Sequence, residues 1–320
     1  APPWAGTLRD PPRRGYHAVM AEPAQQTGLP PQPLEGGETG AGKGRTGLPA
    51  YLAVTSSWFG GWGMQQVLFP WLVVGVLGAS AQTTGLTQMS VLLSNLALLL
   101  LGGAVADRIE PRRLLTVLHL GSALPIGLLL GAVLGGWLSL PVLILCGVLI
   151  GVCSAFNVPA RDSLLRQVAG DDVAHTVTSV TTAQFTSQLV GMGIAGAARW
   201  IGTPFALVVQ AGMLVSGAFV TRRLPRRPAR TSTPSQLSLD EMTIGLRIVW
   251  RSELRPVLLL VAGVGLFFMG SYHVIFPLLV RDVYQGSVAQ LSILMGMFPL
   301  GTILGSVILL RRGGIRRKGR

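Results

Sequence analysis

Charge is scarce in this 320-residue chain. Charged side chains make up 12% of it, against 49% hydrophobic residues and a mean hydropathy of +0.53. That is about half the charge of an ordinary soluble protein. It excludes a disordered polypeptide and a coiled coil. Cysteine is almost missing, so a disulfide scaffold is excluded too. Cys146 and Cys153, if they share one helix, stand ~10 Å apart and cannot bridge. They are expected to be free thiols acting as small apolar residues. No Gly-Lys-Ser/Thr phosphate loop is present, so ATP is not expected to drive the chain directly. The apolar runs hold no metal-spaced His/Glu set and no serine nucleophile beside a base, so no enzyme, metal site or cofactor is expected. The net charge of +13 would suit nucleic acid. The basic residues, however, form short blocks between long apolar runs, which is a membrane topology signal, and nucleic acid is not an expected partner.

What the sequence has in abundance is apolar length. Eight runs stand out: Tyr51–Gly78, Leu86–Ala106, Leu114–Gly135, Leu140–Val158, Val177–Ala198, Pro204–Val220, Val257–Val280 and Leu291–Leu310. Each reaches, or nearly reaches, the length that crosses ~30 Å of hydrocarbon as a helix. All thirteen acidic residues lie outside them. The expected fold is all-α, a polytopic membrane helix bundle with the lipid bilayer as its surroundings. Of the 26 Lys and Arg residues, 24 fall on the side of the amino-terminal tail. Only Arg199 and Arg281 fall on the other. Both termini are therefore expected in the cytoplasm. Residues 1–47, rich in Pro, Gly and charge, are expected to be a disordered tail, and Met20 offers a start that would make 1–19 upstream sequence. Residues 222–255 read as a cytoplasmic linker. It opens on the basic Pro-rich stretch RRLPRRPAR. A capping box from Ser238 to Glu241 then introduces an amphipathic surface helix over 239–250. Residues 311–320 are a basic cytoplasmic end.

An internal repeat is the most informative feature. Val67-Leu-Phe-Pro70-Trp-Leu-Val73 in the first run matches Val274-Ile-Phe-Pro277-Leu-Leu-Val280 in the seventh, an offset of 207 residues. Gln88-Met-Ser-Val-Leu92 resembles Gln290-Leu-Ser-Ile-Leu294 at an offset of 202, and Gly103 falls on Gly305 at the same offset. The second copy is then expected to have a connecting loop five residues shorter. The repeat unit is six spans: a complete six-helix bundle over 48–221, then the first two helices of a second bundle over 256–310. The expectation is a chain that stops after the eighth of twelve helices, the alternative being a genuine eight-span protein.

Gly103-Ala-Val-Ala-Asp107-Arg108-Ile-Glu110-Pro-Arg112-Arg113 resembles the signature loop of the major facilitator superfamily. Glu110-Pro111 in its centre, and Phe156-Asn-Val-Pro-Ala-Arg161 after it, are similar to the enterobactin-exporter-like branch. So is Leu189-Val-Gly191 to Gly196, without the proline usual there. The resemblance implies a secondary transporter, with Gly103, Asp107, Arg108, Arg112, Arg113, Arg161 and Asp162 forming a cytoplasmic gating loop. By position alone, Arg108, Arg112 and Arg113 are near enough to pair with Asp107 or Asp162.

Polar residues in mid-span face a cavity or a neighbouring helix. Trp58, Trp62, Gln65 and Phe69 share one helical face, with Gln66 beside them. The repeat places Tyr272 at Gln65 and His273 at Gln66. Together with Asn95, Gln184 and Gln188, the residues Trp62, Gln65, Gln66, Tyr272 and His273 are expected to line a central, uncharged substrate cavity. For each Gln, plain interhelical hydrogen bonding is the competing role. His119 is expected to be structural, and His273 is a possible proton site. Close helix packing is expected at Gly127-Gly131-Gly135, Gly147-Gly151 and Gly301-Gly305. The functional expectation is a proton-coupled exporter of small amphiphilic molecules in a bacterial inner membrane, working by alternating access. The alternative is a non-transporting fragment or membrane scaffold.

Overall fold

In the computed structural model, residues 47–168, 173–224, 250–252 and 255–311, together with Arg247, are described. All belong to one compact unit, 41–320. The predicted tail, the surface helix over 239–250 apart from Arg247 and Trp250, and the basic end after Arg311 lie outside them. Among the described residues there is no strand. All eight apolar runs are helices: α1 (Leu48–Trp71), α2 (Ala81–Arg108), α3 (Pro111–Leu134), α4 (Leu140–Val168), α5 (Val173–Gly196), α6 (Thr203–Val220), α7 (Arg255–Gly270) and α8 (Val288–Arg311). A short turn, Ala198–Ile201, separates α5 from α6.

The packing is that of a bundle. α1 lies against α5 and α6, α2 against α4, and α3 against α4 and α6. α8 crosses α5, and the continuation of α7 meets α1 and α2. The hydropathy of the surface is inverted relative to a soluble protein. Leu93, Val117, Leu124 and Phe267 are 59–80% exposed, whereas Thr55, His119, Asn157 and Gln210 are buried at 2% or less. Apolar residues outside and hydrogen-bonding groups inside suit lipid as solvent. Four stretches are apolar and long enough to cross a bilayer by composition alone: Pro111–Leu134, Leu140–Leu165, Thr203–Arg223 and Val288–Ile308. α1, α2 and α5 have the length but carry polar groups in their middle turns.

The helices outrun the apolar runs. α4 continues through Pro159 to Val168, so Arg161, Asp162 and Arg166 are helical rather than loop residues. Neighbouring helices re-satisfy what a proline frees, so hydropathy falls before the helix ends. Likewise Asp107 and Arg108 close α2, and Arg112 and Arg113 sit in the first turn of α3, which Pro111 opens at a position where its missing N–H costs nothing.

Glycine packing is concentrated where backbones touch. A methyl at Gly191 would meet the backbone of Gly60, and one at Gly63 the carbonyl of Gln188, where α1 crosses α5. Gly151 presses on the Val91 carbonyl of α2 in the same way and Gly147 on the Ser90 side chain, as the sequence leads one to expect. Gly127, Gly301 and Gly305 do not: nothing lies within 4 Å of a Cβ built there. Gly131 is open too, its nearest neighbour being Trp137 at 3.8 Å, and Gly135 is crowded only by Trp137 and its own helix. Spacing alone does not tell which face of a helix a glycine occupies.

From the proline to the start of the next helix the repeat holds in three dimensions, at the offset of 207, although the second copy has a further π-helical segment before it, Ser271–Ile275. After Pro70, α1 widens into a π-helical turn, Leu72–Val76, and after Pro277 the seventh helix does the same at Leu279–Val283. Leu77 N–H bonds Leu72 C=O (3.0 Å) and Ala79 N–H bonds Val73 C=O (3.0 Å). The second copy gives Tyr284 to Leu279 (3.1 Å) and Gly286 to Val280 (2.8 Å). Gly78 takes φ +67°, and Gln285, its equivalent, takes φ +48°. Ser80 then caps α2 by accepting from Thr83 N–H at 3.3 Å, and Gln290 caps α8 by accepting from Ser287 N–H at 2.9 Å. The loop is therefore the same length in both copies. The expected five-residue shortening is wrong: Gln290 is the capping partner of Ser287 and corresponds to Thr83, not to Gln88. A left-handed glutamine costs ~1–2 kcal/mol relative to ordinary backbone, so Gln285→Gly should raise the thermal midpoint in detergent by an amount consistent with ~1 kcal/mol. Gly78→Gln should lower it similarly.

Candidate functional site

The described cavity lies inside the first bundle, between α1, α3, α4 and α6. It is small, with about 20 Å³ open to water-molecule centres, and is lined by Trp58, Trp62, Gln65, Ser122, Ser154 and Gln210, with apolar residues between them. The Trp58/Trp62/Gln65 face of α1 is thus turned toward α3 and α6. Gln210 reaches from α6 and donates to Gln65 Oε1 at 2.7 Å and to the Gly61 carbonyl at 3.2 Å. Gln65 Nε2, Ser122 Oγ and Gln210 Oε1 are buried without a protein partner. Three such groups around one small space fit bound water.

The eight expected cavity residues are not gathered into one chamber. Only Trp62 and Gln65 line this cavity. Gln188 is buried where α1 crosses α5, and Gln66 and Asn95 are half-buried. Tyr272 sits in an aromatic cluster, 5.8 Å from Phe268, 5.4 Å from Phe276 and 6.1 Å from Phe298 between ring centroids. Its hydroxyl donates to the Met295 carbonyl, which makes it a tie between α7 and α8. His273, half-buried, stands edge-on to Tyr272 at 5.1 Å. His119 is fully buried: Nδ1 bonds the Leu115 carbonyl at 2.8 Å and the ring meets Trp58 edge-on at 5.2 Å. This is the packed role expected of it.

Gln184 brings a correction. Arg161 Nη1 donates to its Oε1 at 3.4 Å, so the polar stripe on α5 carries a cation and is not uncharged. The Arg161 guanidinium also lies over Phe59 at 4.8 Å and 3.4 Å from Asp162 Oδ1. Tyr51 donates to the Arg161 carbonyl at 3.3 Å. One side chain thereby ties α4 to α1 and α5. Sequence spacing does not suggest this, because hydropathy ends the fourth run before Arg161 and places it in a loop.

The signature segment is also paired differently from expectation. Arg113 bonds Glu110 at 3.0 Å and Asp162 is held by Arg161, so of the pairings open to the three arginines those with Asp107 fall outside the described residues. Arg112 donates to the Leu224 carbonyl at 3.4 Å, and Thr116 and Thr221 share a hydrogen bond at 2.5 Å, fastening the start of α3 to the end of α6. The Asp107 side chain lies outside the described residues. Arg108 is exposed. Gly103 has open space around it. The close approach between α2 and α4 is made by its neighbour Gly102, against the Ala155 carbonyl.

On the opposite face of the bundle the two copies of the repeat meet. Arg281 Nη1 donates to the carbonyls of Val74 (3.0 Å) and Ala79 (2.7 Å), and its Nε lies 2.5 Å from Asp282. Under the offset of 207, Val74 is the equivalent of Arg281 itself. Equivalent residues touch only where a pseudo-twofold axis passes between them. The hydrogen bond from Arg281 holds the Asp282 carboxyl below the usual carboxylate range. A lowered carboxylate pKa contributes above the ordinary value and is lost as pH falls through the lowered one. The ion pair is expected to persist at neutral and mildly acid pH and to open below the ordinary carboxylate range.

A multi-pass helical bundle with an internal repeat, polar groups inside and a pseudo-twofold contact is the architecture of a membrane transporter. The chain belongs to the Major Facilitator Superfamily, whose profile matches residues 51–319. Among solved structures it is similar to the nucleoside transporter NupG. A mutant form superposes with a TM-score of 0.66 at 13% identity, covering 83% of this chain and 69% of that one. A second NupG structure gives 0.62 at 15% identity, covering 84% and 68%. At such identity the likeness concerns the fold. No curated protein matches the sequence. The family points to a transporter rather than an enzyme.

Proposed function

We propose that the chain is a secondary transporter that exports small amphiphilic molecules from a bacterial cytoplasm by alternating access, coupled to protons. Its domain plan would be that read from the sequence, with both termini cytoplasmic. The observation that carries this reading is the repeated Pro–π-turn–cap unit, which sets α1–α2 and α7–α8 about one axis and so defines two halves that can rock against each other. The half-buried Gln66 and His273, equivalent under the repeat, are the proposed substrate contacts. Arg161 with Gln184 would add a polar anchor for the head of an amphiphile. His273, whose imidazole is a side chain of the type that takes up and releases protons, is the proposed coupling site. The signature segment after α2 would gate the cytoplasmic side through Arg112 and its tie to α6.

The test uses inverted vesicles containing the protein and a panel of dyes and drugs, with and without a proton gradient. Gradient-dependent accumulation is the expected result. No accumulation of any compound under either condition would remove the exporter reading. Gln66→Ala and His273→Ala should each lower the accumulation rate by about tenfold while the protein remains inserted. Normal transport by both variants would show that the site lies elsewhere.

A further inference from the structure

The face opposite the basic blocks holds two arginines, Arg199 and Arg281, and both reach across between the halves. We infer that Arg281 is a latch that holds the two halves shut on this face, with Arg199 as a weaker second tie. The inference rests on the alternating-access reading above.

The geometry supports a latch in three ways. The acceptors are carbonyls at and just past the carboxyl end of α1, where helix carbonyls lack partners and the helix dipole favours a cation. A single guanidinium spans both, Val74 and Ala79. Asp282 grips the other edge of the fork through Nε and Nη2, at 2.5 and 3.0 Å, and so fixes its direction. Bidentate, charge-assisted bonding of this kind is directional and stronger than neutral pairs. Its position is the second support. Because Arg281 contacts its own repeat equivalent, the bonds lie where the two copies of the repeat meet on this face. One residue nearer the middle of each helix, the equivalent residues Val73 and Val280 are buried, at 0% and 2%, so the polar clasp stands beside dry apolar packing. The third support is asymmetry. The first copy has Val74 where the second has Arg281, so one set of bonds from one side chain makes the clasp and can release as a unit. Arg199 Nη1 reaches Ser287 Oγ at 3.5 Å, joining the end of α5 to the cap of α8.

The test places one cysteine beside the clasp, Val280→Cys, with Cys146 and Cys153 replaced by alanine. Reaction with a membrane-impermeant maleimide is followed in proteoliposomes. With Arg281 intact the reaction is expected to be slow. Adding Arg281→Gln should speed it by about tenfold, the effect of losing charge-assisted bonds. A rate within about twofold of the parent would overturn the latch. Folding is checked on a version retaining Cys146, which is buried and must stay unreactive. If Arg281→Gln fails that check, Arg281→Lys decides: lysine keeps the charge but not the fork, and its rate should still rise by about threefold. An unchanged rate would overturn the latch there too. Labelling needs no substrate. Fast labelling in a protein that transports nothing keeps the latch and removes the transport reading; unchanged labelling in a protein that transports does the reverse.

Discussion

Leucine in place of Gly191 is expected to leave little correctly assembled protein. Gly191 is buried on α5, and a Cβ there meets the backbone of Gly60 on α1. Neither partner is a side chain that can swing away, so one helix must move. The same crossing has a second contact one turn on, where Gly63 meets the Gln188 carbonyl. Separating the helices at one point therefore loosens both. In lipid the association of helices depends on such close packing, because the acyl chains compete equally well for apolar surface. Overpacking costs ~1–3 kcal/mol where side chains can adjust, and here the loss should reach or exceed the upper end. Gly193 provides the control. It is two residues away on the same helix, is exposed, and has nothing within 4 Å of a built Cβ. Thermal unfolding in detergent, with yield of monodisperse protein, compares the two. Gly191→Leu should be severely destabilised and Gly193→Leu close to the parent. Equal behaviour would show that α1 and α5 do not cross here.

Truncating Gln210 should produce the next largest effect on stability. Its amide donates to both Gln65 Oε1 and the Gly61 carbonyl, in surroundings where Gln210 is 1% exposed. Gln210→Ala removes the donor to Gln65 Oε1, a buried acceptor, while the Gly61 carbonyl keeps its bond within α1; the cost is ~1–3 kcal/mol. Gln65→Leu alone should cost less, since Gln210 keeps its bond to Gly61. The double variant Gln65→Leu/Gln210→Ala removes both polar partners. It should be more stable than the sum of the single changes by about 1 kcal/mol. The cycle is read from unfolding midpoints. Strict additivity would mean that the two amides do not meet. The measured coupling is expected to stay modest, since membrane hydrogen bonds average about 0.6 kcal/mol in such cycles.

Much of this architecture was legible in the sequence, for identifiable reasons. Hydrocarbon imposes long apolar runs, so the eight helices declared themselves. The Phe-Pro motif reported the repeat because proline fixes where each π-turn begins. Helix ends were less legible. Hydropathy falls at the edge of the apolar layer, while α4 goes on through Pro159 and carries Arg161 and Asp162 with it. The second half of the repeat was misregistered because Gln-x-Ser-x-Leu recurs by composition; the caps at Ser80 and Ser287 fix the true register. The polar stripe on α1 was found, but periodicity identifies a face and not its neighbour. Only packing shows that Gln65 looks toward Gln210. The role of Arg281 was within reach, since the offset of 207 carries it onto Val74, but its use depends on a π-turn that leaves carbonyls open, and that is not a sequence pattern.

The pseudo-twofold contact between the halves can be tested by chemical joining of its two equivalents. Val74→Cys and Arg281→Cys are introduced together without the native cysteines, treated with a short bismaleimide, and the protein is then cleaved at the arginines of 222–230. The two fragments should stay covalently joined, while a control pair, Val74→Cys with the exposed Val264→Cys, should separate. Fragments that part in both proteins would mean that the two copies of the repeat do not face each other.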